Sequence, residues 1–258
     1  MDNSLEVLIL SFTLVVARTG TFMAMLPLLG GRFVPRFIKA VLSLMLALFW
    51  FETFAISSVQ PLPDGPATSY WVQYGVMLGK EVALGAIMGF TFSLFILPFR
   101  IAGEFIGQEM GLTLARITDP TAPTSGTVIG QMFELIGVFA IFVSGTHHLF
   151  IAAIHASFTA QPIGAEFGAI PIDANIRAVA TSQEWGLLLA APVACSLFII
   201  TIVLAMLSRA TPQLNLLSVG FPMRLLVGLL ALVVFLPELS ESIELTLSRF
   251  RGLVMEGF

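Results

Sequence analysis

Charged residues are scarce in this chain of 258 residues. They make up 11% of the sequence, whereas hydrophobic residues make up 57% and the mean hydropathy is +0.96. Soluble domains carry roughly 25% charged residues, so the composition predicts a polytopic integral membrane protein. No run of lysine and arginine is present and the net charge is only −4. A nucleic-acid partner is therefore not indicated.

Cysteine is almost absent, because Cys195 is the single one. An internal disulfide is excluded, and the redox compartment cannot be inferred from cysteine usage. The N-terminal residues 1–6 carry no basic residue, whereas a cleaved signal peptide begins with a basic region. The first apolar segment is therefore expected to stay in the mature protein.

Apolar runs long enough to cross a bilayer, which takes about 20 residues, recur along the chain. Six runs are predicted as spans, at about residues 5–29, 37–57, 70–97, 128–158, 185–207 and 214–236. The fourth run is expected to be two shorter helices bent near Ser144–Gly145. Residues 159–184 are expected to form a connection outside the membrane, and Gly220–Pro222 are expected to break the sixth run into a hairpin.

The tail and two charged positions inside the spans carry further expectations. Residues 237–258 have apolar positions at helical spacing and predict an amphipathic helix. Arg18 is expected to snorkel or to bond to a neighbouring carbonyl. Three roles are open for Lys80–Glu81, namely a local ion pair, a partner for another helix and an interfacial band, and the interfacial band is favoured. Small residues at four-residue spacing indicate close helix contacts, here the pairs Gly75/Gly79 and Gly85/Gly89.

The polar, glycine-rich stretch between residues 98 and 123 separates two of the longest apolar runs. On one helix Gly103, Gly107 and Gly111 form a narrow strip at which another helix can approach closely. Glu104 and Gln108 lie beside that strip and need polar partners or water. The helix is expected to end after Arg116, because residues 118–123 have turn chemistry. This pattern indicates a pore or an assembly contact more than an enzyme.

The sequence has no recognisable motif for catalysis, for a metal ion or for a phosphate group. His148 and His155 share a helix face but lie about 10 Å apart along it, too far to reach one metal ion. Ordinary hydrogen bonding is the favoured role for these two and for His147. No phosphate-binding loop and no G-x-S-x-G motif is present. No enzyme activity and no cofactor are therefore expected.

Carboxylates in and beside the apolar runs leave two interpretations open. Glu104, Glu109, Asp119 and Glu134 are placed as in a proton relay. They are equally placed to form hydrogen bonds between subunits, which the adjacent glycine strip favours.

Two stretches carry a resemblance to a known family. The first runs from Ser208 to Arg224, and the second contains AGEFIGQEMG and the later Asp119–Pro120. They resemble the signatures of the FliR/SctT family of type III export proteins, and the resemblance covers about residues 15–237. The residues that carry the first signature are Arg209, Pro212, Gln213, Asn215, Gly220, Phe221 and Pro222.

The resemblance implies an all-α membrane protein that forms one domain over residues 1–258. About residues 1–180 would be FliP-like, and about 181–258 would form a FliQ-like hairpin with the amphipathic tail. The implied role is a subunit of the flagellar or injectisome export portal in the bacterial inner membrane. The flagellar portal lies in the flagellar basal body. FliP-like, FliQ-like, FlhB-like and FlhA-like proteins are the implied partners, and unfolded proteins the implied substrates. The implied channel plug is the loop that contains Arg116, Ile117, Thr118, Asp119, Pro120 and Thr121.

A second function remains open from the residues alone. In a secondary transporter or proton-coupled carrier, Glu104, Asp119 and Glu134 would bind ions within broken helices. The two functions predict different results for one substitution. Glu104→Gln would abolish transport by a carrier without preventing assembly, whereas Gly107→Leu would prevent assembly of a portal.

Overall fold

The computed structural model describes residues 2–26, 35–55, 67–113, 126–163, 172–211 and 216–257. All regular secondary structure in these ranges is helical, which confirms the predicted all-α class. The α-helices are α1 Asp2–Met25, α2 Arg36–Trp50, α3 Ala67–Ser93, α4 Leu97–Glu109, α5 Val128–Val143, α6 His147–Ala160, α7 Ile172–Ala210, α8 Leu216–Val234 and α9 Leu236–Gly257. A π-helical turn, Phe51–Ala55, extends α2.

Four helices are long and apolar enough to cross a membrane, and two broken pairs raise the number to as many as six. The four are α1, α2 with its π-helical turn, α3 and α7. The prediction that the fourth apolar run is two helices is confirmed. Helices α5 and α6 are separated by the turn Ser144–Thr146, where Gly145 has a φ of 69°. The chain is thus a polytopic helical membrane protein.

Helix α7 differs from its prediction at its N-terminal end. It begins at Ile172 and has 39 residues, so the predicted connection is helical from residue 172 onward. No glycine or proline lies between residues 172 and 185, and nothing in that stretch therefore interrupts helical hydrogen bonding. At 1.5 Å per residue α7 is about 58 Å long, roughly twice the hydrocarbon thickness of a bilayer.

The expected hairpin break at Gly220–Pro222 is also wrong. Helix α8 runs through both residues to Val234. A proline inside a helix removes one hydrogen bond, and apolar helices accommodate that loss when neighbouring groups satisfy the freed carbonyl. The chain bends by 66° at Phe235 instead. Pro237 lies in the first turn of α9, where its missing N–H costs no helical hydrogen bond. The predicted amphipathic tail is confirmed as helix α9.

The described helices belong to two compact units. The first comprises Met1–Ser93, His147–Asn175 and Val254–Phe258, and the second comprises Leu94–Thr146 and Ile176–Leu253. Both units are built from segments that are distant in sequence. The sequence-based boundary between residues 180 and 181 falls inside helix α7.

In the first unit, α1 packs closely along α3. A Cβ placed on Gly89 would lie 2.6 Å from the Cβ of Met25 and 2.8 Å from the carbonyl of Phe22, and one on Gly85 would overlap the Arg18 carbonyl. Only glycine permits this approach. No described atom lies within 4 Å of a Cβ placed on Gly75 or Gly79. The prediction of close contact therefore holds for one glycine pair and fails for the other within the described residues.

A buried ion pair lies between the same two helices. Arg18 donates from Nε to Glu81 at 2.5 Å, and both side chains are almost fully buried. Arg18 Nη1 also donates to the carbonyls of Ser157 and Gln161 at 3.0 Å each, and its guanidinium lies 4.5 Å from the ring centroid of Phe158. Bonding of Arg18 to carbonyls is thus confirmed. Of the three roles, the structure shows the partner for another helix, since Glu81 pairs with a buried cation on α1; the favoured interfacial interpretation is wrong for Glu81.

Candidate functional site

Helix α4 lies in the second unit and separates its residues into a buried and an exposed face. The turn Leu94–Ile96 interrupts the preceding run, and Pro98 lies in the first turn of α4, where its missing N–H costs no hydrogen bond. Arg100 and Gln108 are exposed. The buried face consists of Pro98, Phe99, Ala102, Gly103, Ile106 and Gly107.

Glycines bring α4 and α5 into backbone contact. A Cβ placed on Gly103 would lie 2.7 Å from the Cβ of Phe133 and 2.8 Å from the Cα of Gly130. A Cβ placed on Gly107 would lie 2.7 Å from the Cβ of Thr127. Side chains at either position would force the helices apart. The helix that contacts this part of the predicted strip therefore belongs to the same chain.

Glu104 caps the N-terminus of α5. Its two carboxylate oxygens accept hydrogen bonds from the backbone N–H of Thr127, at 2.9 and 3.1 Å. The Thr127 hydroxyl in turn accepts from the N–H of Gly130 at 2.9 Å. These bonds satisfy two N–H groups at the start of α5, and a negative charge at this end of a helix is favourable. Gly130 leaves room for the carboxylate, since a Cβ there would lie 2.7 Å from the Glu104 Cδ.

Helix α4 ends at Glu109 rather than after Arg116, so the predicted helix is too long. Gly111 has a φ of 84°, a left-handed conformation that glycine adopts without strain. The N–H of Gly111 bonds to the carbonyl of Gln108 at 2.9 Å, and the N–H of Leu112 bonds to that of Gly107 at 3.0 Å. This pair of bonds is a Schellman motif. The predicted strip therefore stops at Gly107, and Gly111 instead faces the Phe221 ring, 3.2 Å from an added Cβ.

The other predicted site residues are distributed as follows. Arg116, Ile117, Thr118, Asp119, Pro120 and Thr121 lie outside the described residues, as do Pro212, Gln213 and Asn215. Arg209 is exposed near the end of α7, and Pro222 is exposed on α8. Gly220 is buried, and a Cβ there would lie 3.7 Å from Leu204. The structure thus brings together Gly103, Glu104 and Gly107, and separately Gly111 and Phe221.

Two residues that complete the α4–α5 contact were not singled out from the sequence. They are Thr127 and Gly130, and a local sequence pattern points to each of them. Threonine directly before an apolar run is a typical helix N-cap. A glycine three residues into that run indicates close approach by another group. Because both lie beyond the residues 98–123 on which the prediction was centred, their pairing with Glu104 required three-dimensional structure.

The histidines do not converge on a metal site. In the described ranges no group of three or more His, Cys, Asp or Glu side chains is placed to hold a metal ion. The His155 ring lies 4.9 Å from that of Phe54, and the rings of His147 and His148 lie 4.1 Å apart. Aromatic packing is therefore the visible role of His155.

The α4–α5 contact holds both ends of the segment that connects these two helices. Its glycines bring the two helices into backbone contact, its carboxylate accepts from the Thr127 N–H, and residues 110–127 join the two helices. The Schellman motif fixes the chain where it leaves α4, and the Glu104 cap fixes it where α5 begins. Both ends of the connecting segment are therefore held by one rigid contact.

Comparison with known proteins gives a consistent result. A sequence model described as "Bacterial export proteins, family 1" matches residues 9–250. The chain is 28% identical to the flagellar biosynthetic protein FliR of Escherichia coli (strain K12), over 89% of this chain and 85% of that protein. It is also 28% identical to FliR of Bacillus subtilis (strain 168), over 90% and 88%. With FliR of Caulobacter vibrioides the identity is 28% over 84% of each chain.

Proposed function

This chain belongs to the bacterial export proteins of family 1, and we propose that it is a subunit of the flagellar export apparatus that helps to form and plug a channel for unfolded proteins. The family match and the FliR relatives support the coarser role in export. The finer role of channel and plug is our proposal. It places the protein in the bacterial inner membrane, at the flagellar basal body.

One observation supports the plug most directly. The segment that contains Arg116–Thr121 joins α4 to α5, and the glycine contact and the Glu104 cap hold both of its ends. A plug must be attached firmly at its base, because otherwise it would not return to the same position after each substrate passes. The Thr- and Pro-rich composition of the segment is suited to irregular backbone that lines water.

The exposed apolar surface supports assembly with other membrane helices or with lipid. Many large hydrophobic side chains are exposed, among them Phe139 at 70% on α5 and Met206 at 69% on α7. The proposed protein partners are FliP-like and FliQ-like subunits, with FlhB-like and FlhA-like neighbours. The proposed role needs no cofactor and no catalytic activity.

A carrier that uses Glu104 as its ion ligand is less well supported. Both oxygens of this carboxylate already accept from the Thr127 N–H, and the side chain closes the α4–α5 contact. An ion ligand faces a pathway open to ions, whereas the Glu104 carboxylate lies against the backbone at Gly126 and Gly130. Glu104 therefore fits a structural cap better than a transport site.

The test replaces Arg116–Thr121 by six Gly and Ser residues in the complete export complex. We expect the altered complex to assemble with its partners, to conduct small ions at rest and to alter export. The control replaces residues 58–63, which join other helices, in the same way and is expected to leave the resting conductance unchanged. Normal resting conductance in the first variant would contradict the plug but not the export role. The export role would be contradicted by a different result, namely that flagellar export continues after deletion of the whole chain.

A further inference from the structure

The turn between α5 and α6 is irregular backbone in an apolar run, so its polar groups need partners. Three of the carbonyls at the end of α5 are satisfied locally. The Ala140 carbonyl accepts from the Ser144 N–H at 2.9 Å, the Phe142 carbonyl from the Gly145 N–H at 3.2 Å, and the Ile141 carbonyl from the Ser144 hydroxyl at 3.3 Å. The carbonyl of Ser144 itself is not reached by these local donors.

Arg251, 107 residues further along the chain, supplies the missing donor. Its Nη2 donates to the Ser144 carbonyl at 3.2 Å and to the Thr146 hydroxyl at 3.1 Å. Ser144 is exposed, whereas Thr146 is fully buried. A cation at the C-terminal end of α5 is also favoured by the helix dipole. The contact is thus charge-assisted at both oxygens.

Hydrogen bonds connect Arg251 to the end of α5 through the hydroxyls of Thr146 and Ser144. Arginine can only donate, so the Thr146 oxygen accepts from Arg251. The Ser144 hydroxyl lies 3.3 Å from the Ile141 carbonyl. It also shares a 2.7 Å hydrogen bond with the Thr146 hydroxyl, in which either oxygen can be the donor. The bonds form one chain, from Arg251 through Thr146 and Ser144 to the end of α5, and such chains strengthen cooperatively.

The helix that carries Arg251 has buried positions on both sides of its middle. Leu239, Thr246 and Leu247 of α9 are buried. The Arg249 guanidinium lies 5.9 Å from the ring centroid of Trp185 on α7. Arg251 is therefore brought to the turn by a packed helix and not by a free tail. Thr146 is also the residue at which the chain leaves the second unit.

We propose that α9 is a strap that locks the turn Ser144–Thr146, with Arg251 as its locking residue. The C-terminal helix thereby fixes the backbone of this turn within the second unit. Any partner or truncation that removes the last turns of α9 releases this turn. The inference concerns the fold of the chain and does not depend on the proposed plug.

Hydrogen exchange of the backbone amides tests the strap in the purified export complex. We expect Arg251→Ala to accelerate exchange at Ser144–Thr146 by about tenfold, as loss of a charge-assisted hydrogen bond would. Arg251→Lys should accelerate it less. The matched control is Glu244→Ala, an exposed position two turns earlier on the same helix, which should leave exchange at the turn unchanged. Equal exchange in wild type and Arg251→Ala would overturn the proposal.

A double-mutant cycle covers the case in which Arg251→Ala disturbs the whole helix. Thr146→Val removes one acceptor of Arg251 and keeps a similar side-chain shape. If the strap exists, the two substitutions share an interaction and their effects on exchange are smaller in combination than their sum. Fully additive effects would overturn it, because they would mean that Arg251 and Thr146 act independently.

Discussion

Arg18 and Glu81, which are 63 positions apart in sequence, form an ion pair in which both side chains are almost fully buried. Removing two charges from water is costly, and their attraction offsets that cost only when further hydrogen bonds complete the site. Here the carbonyls of Ser157 and Gln161 supply two such bonds to the guanidinium. The pair therefore joins α1 and α3 to the end of α6 and to the residue just after it.

Removing one member of this pair should be far more damaging than removing both. Glu81→Leu would leave the Arg18 charge buried without its counter-ion, and we expect a loss of about 3–5 kcal/mol in unfolding free energy. Arg18→Met combined with Glu81→Leu should cost substantially less. Thermal unfolding of the purified chain in detergent measures both. A double variant as unstable as the single variant would show that the carbonyl contacts of Arg18, and not the ion pair, dominate.

The two glycine pairs of α3 should respond in opposite ways to the same substitution. Gly89→Ala would place a Cβ 2.6 Å from Met25 and 2.8 Å from a backbone carbonyl, so we expect a loss of about 1–3 kcal/mol from overpacking. Gly79→Ala meets no described atom within 4 Å and should change stability by less than about 1 kcal/mol, in the stabilising direction. Thermal unfolding in detergent compares the two. Equal destabilisation would mean that Gly79 is covered by a partner in the purified sample.

These contacts show which features a sequence can predict. The polytopic membrane class, the break near Gly145 and the amphipathic tail follow from composition and period alone, because each depends on local pattern, whereas the all-α class was implied by the family resemblance. Helix ends were less predictable. Helix α4 stops at Glu109 because Gly111 adopts positive φ, whereas the strip of glycines at four-residue spacing suggested a longer helix. The spacing of glycines does not show whether a given glycine permits close helix packing or ends a helix with positive φ.

Partner choice was not predictable from the sequence. Glu81 lies beside Lys80, and a local or interfacial role was the simpler interpretation. Its partner is instead Arg18, on a helix that only the fold brings near. The same holds for Glu104 with Thr127 and for Arg251 with Thr146. Each of these pairs depends on helix packing, which single-sequence periodicity does not specify.

Glu104 should contribute to stability as a helix cap. Glu104→Ala leaves the Thr127 N–H without its acceptor, and we expect a loss of about 1–2 kcal/mol, as for other N-cap acceptors. Glu104→Gln keeps one carbonyl oxygen and should lose less. Gln108→Ala, one turn later on an exposed position of α4, is the control and should have little effect. Hydrogen exchange at Thr127–Gly130 provides the measurement. Unchanged exchange in Glu104→Ala would rule out the cap.

Positive φ makes Gly111 and Gly145 sensitive to any side chain. With φ of 84° and 69°, alanine at either position should cost about 1–2 kcal/mol, because the left-handed region is strained for residues with a Cβ. The cost should be larger at Gly111, where an added Cβ would also approach the Phe221 ring to 3.2 Å. Asparagine tolerates this region better than alanine. The Gly145→Asn variant should therefore unfold at a higher temperature than the Gly145→Ala variant, and the reverse order would contradict the strain argument.

The single cysteine offers a direct test of how α7 lies in the membrane. Cys195 is exposed on the helix surface and lies in the apolar part of a candidate span, so lipid or a partner helix should cover it. Gln183 lies 12 residues earlier, about 18 Å along the axis. If Cys195 lies near the middle of a hydrocarbon core of about 30 Å, Gln183 lies beyond the edge of that core. In intact membranes a charged maleimide should therefore label Gln183→Cys, made in a Cys195→Ser background, but not Cys195 until the protein is unfolded in detergent. Comparable labelling rates at the two positions would show that this part of α7 lies in water.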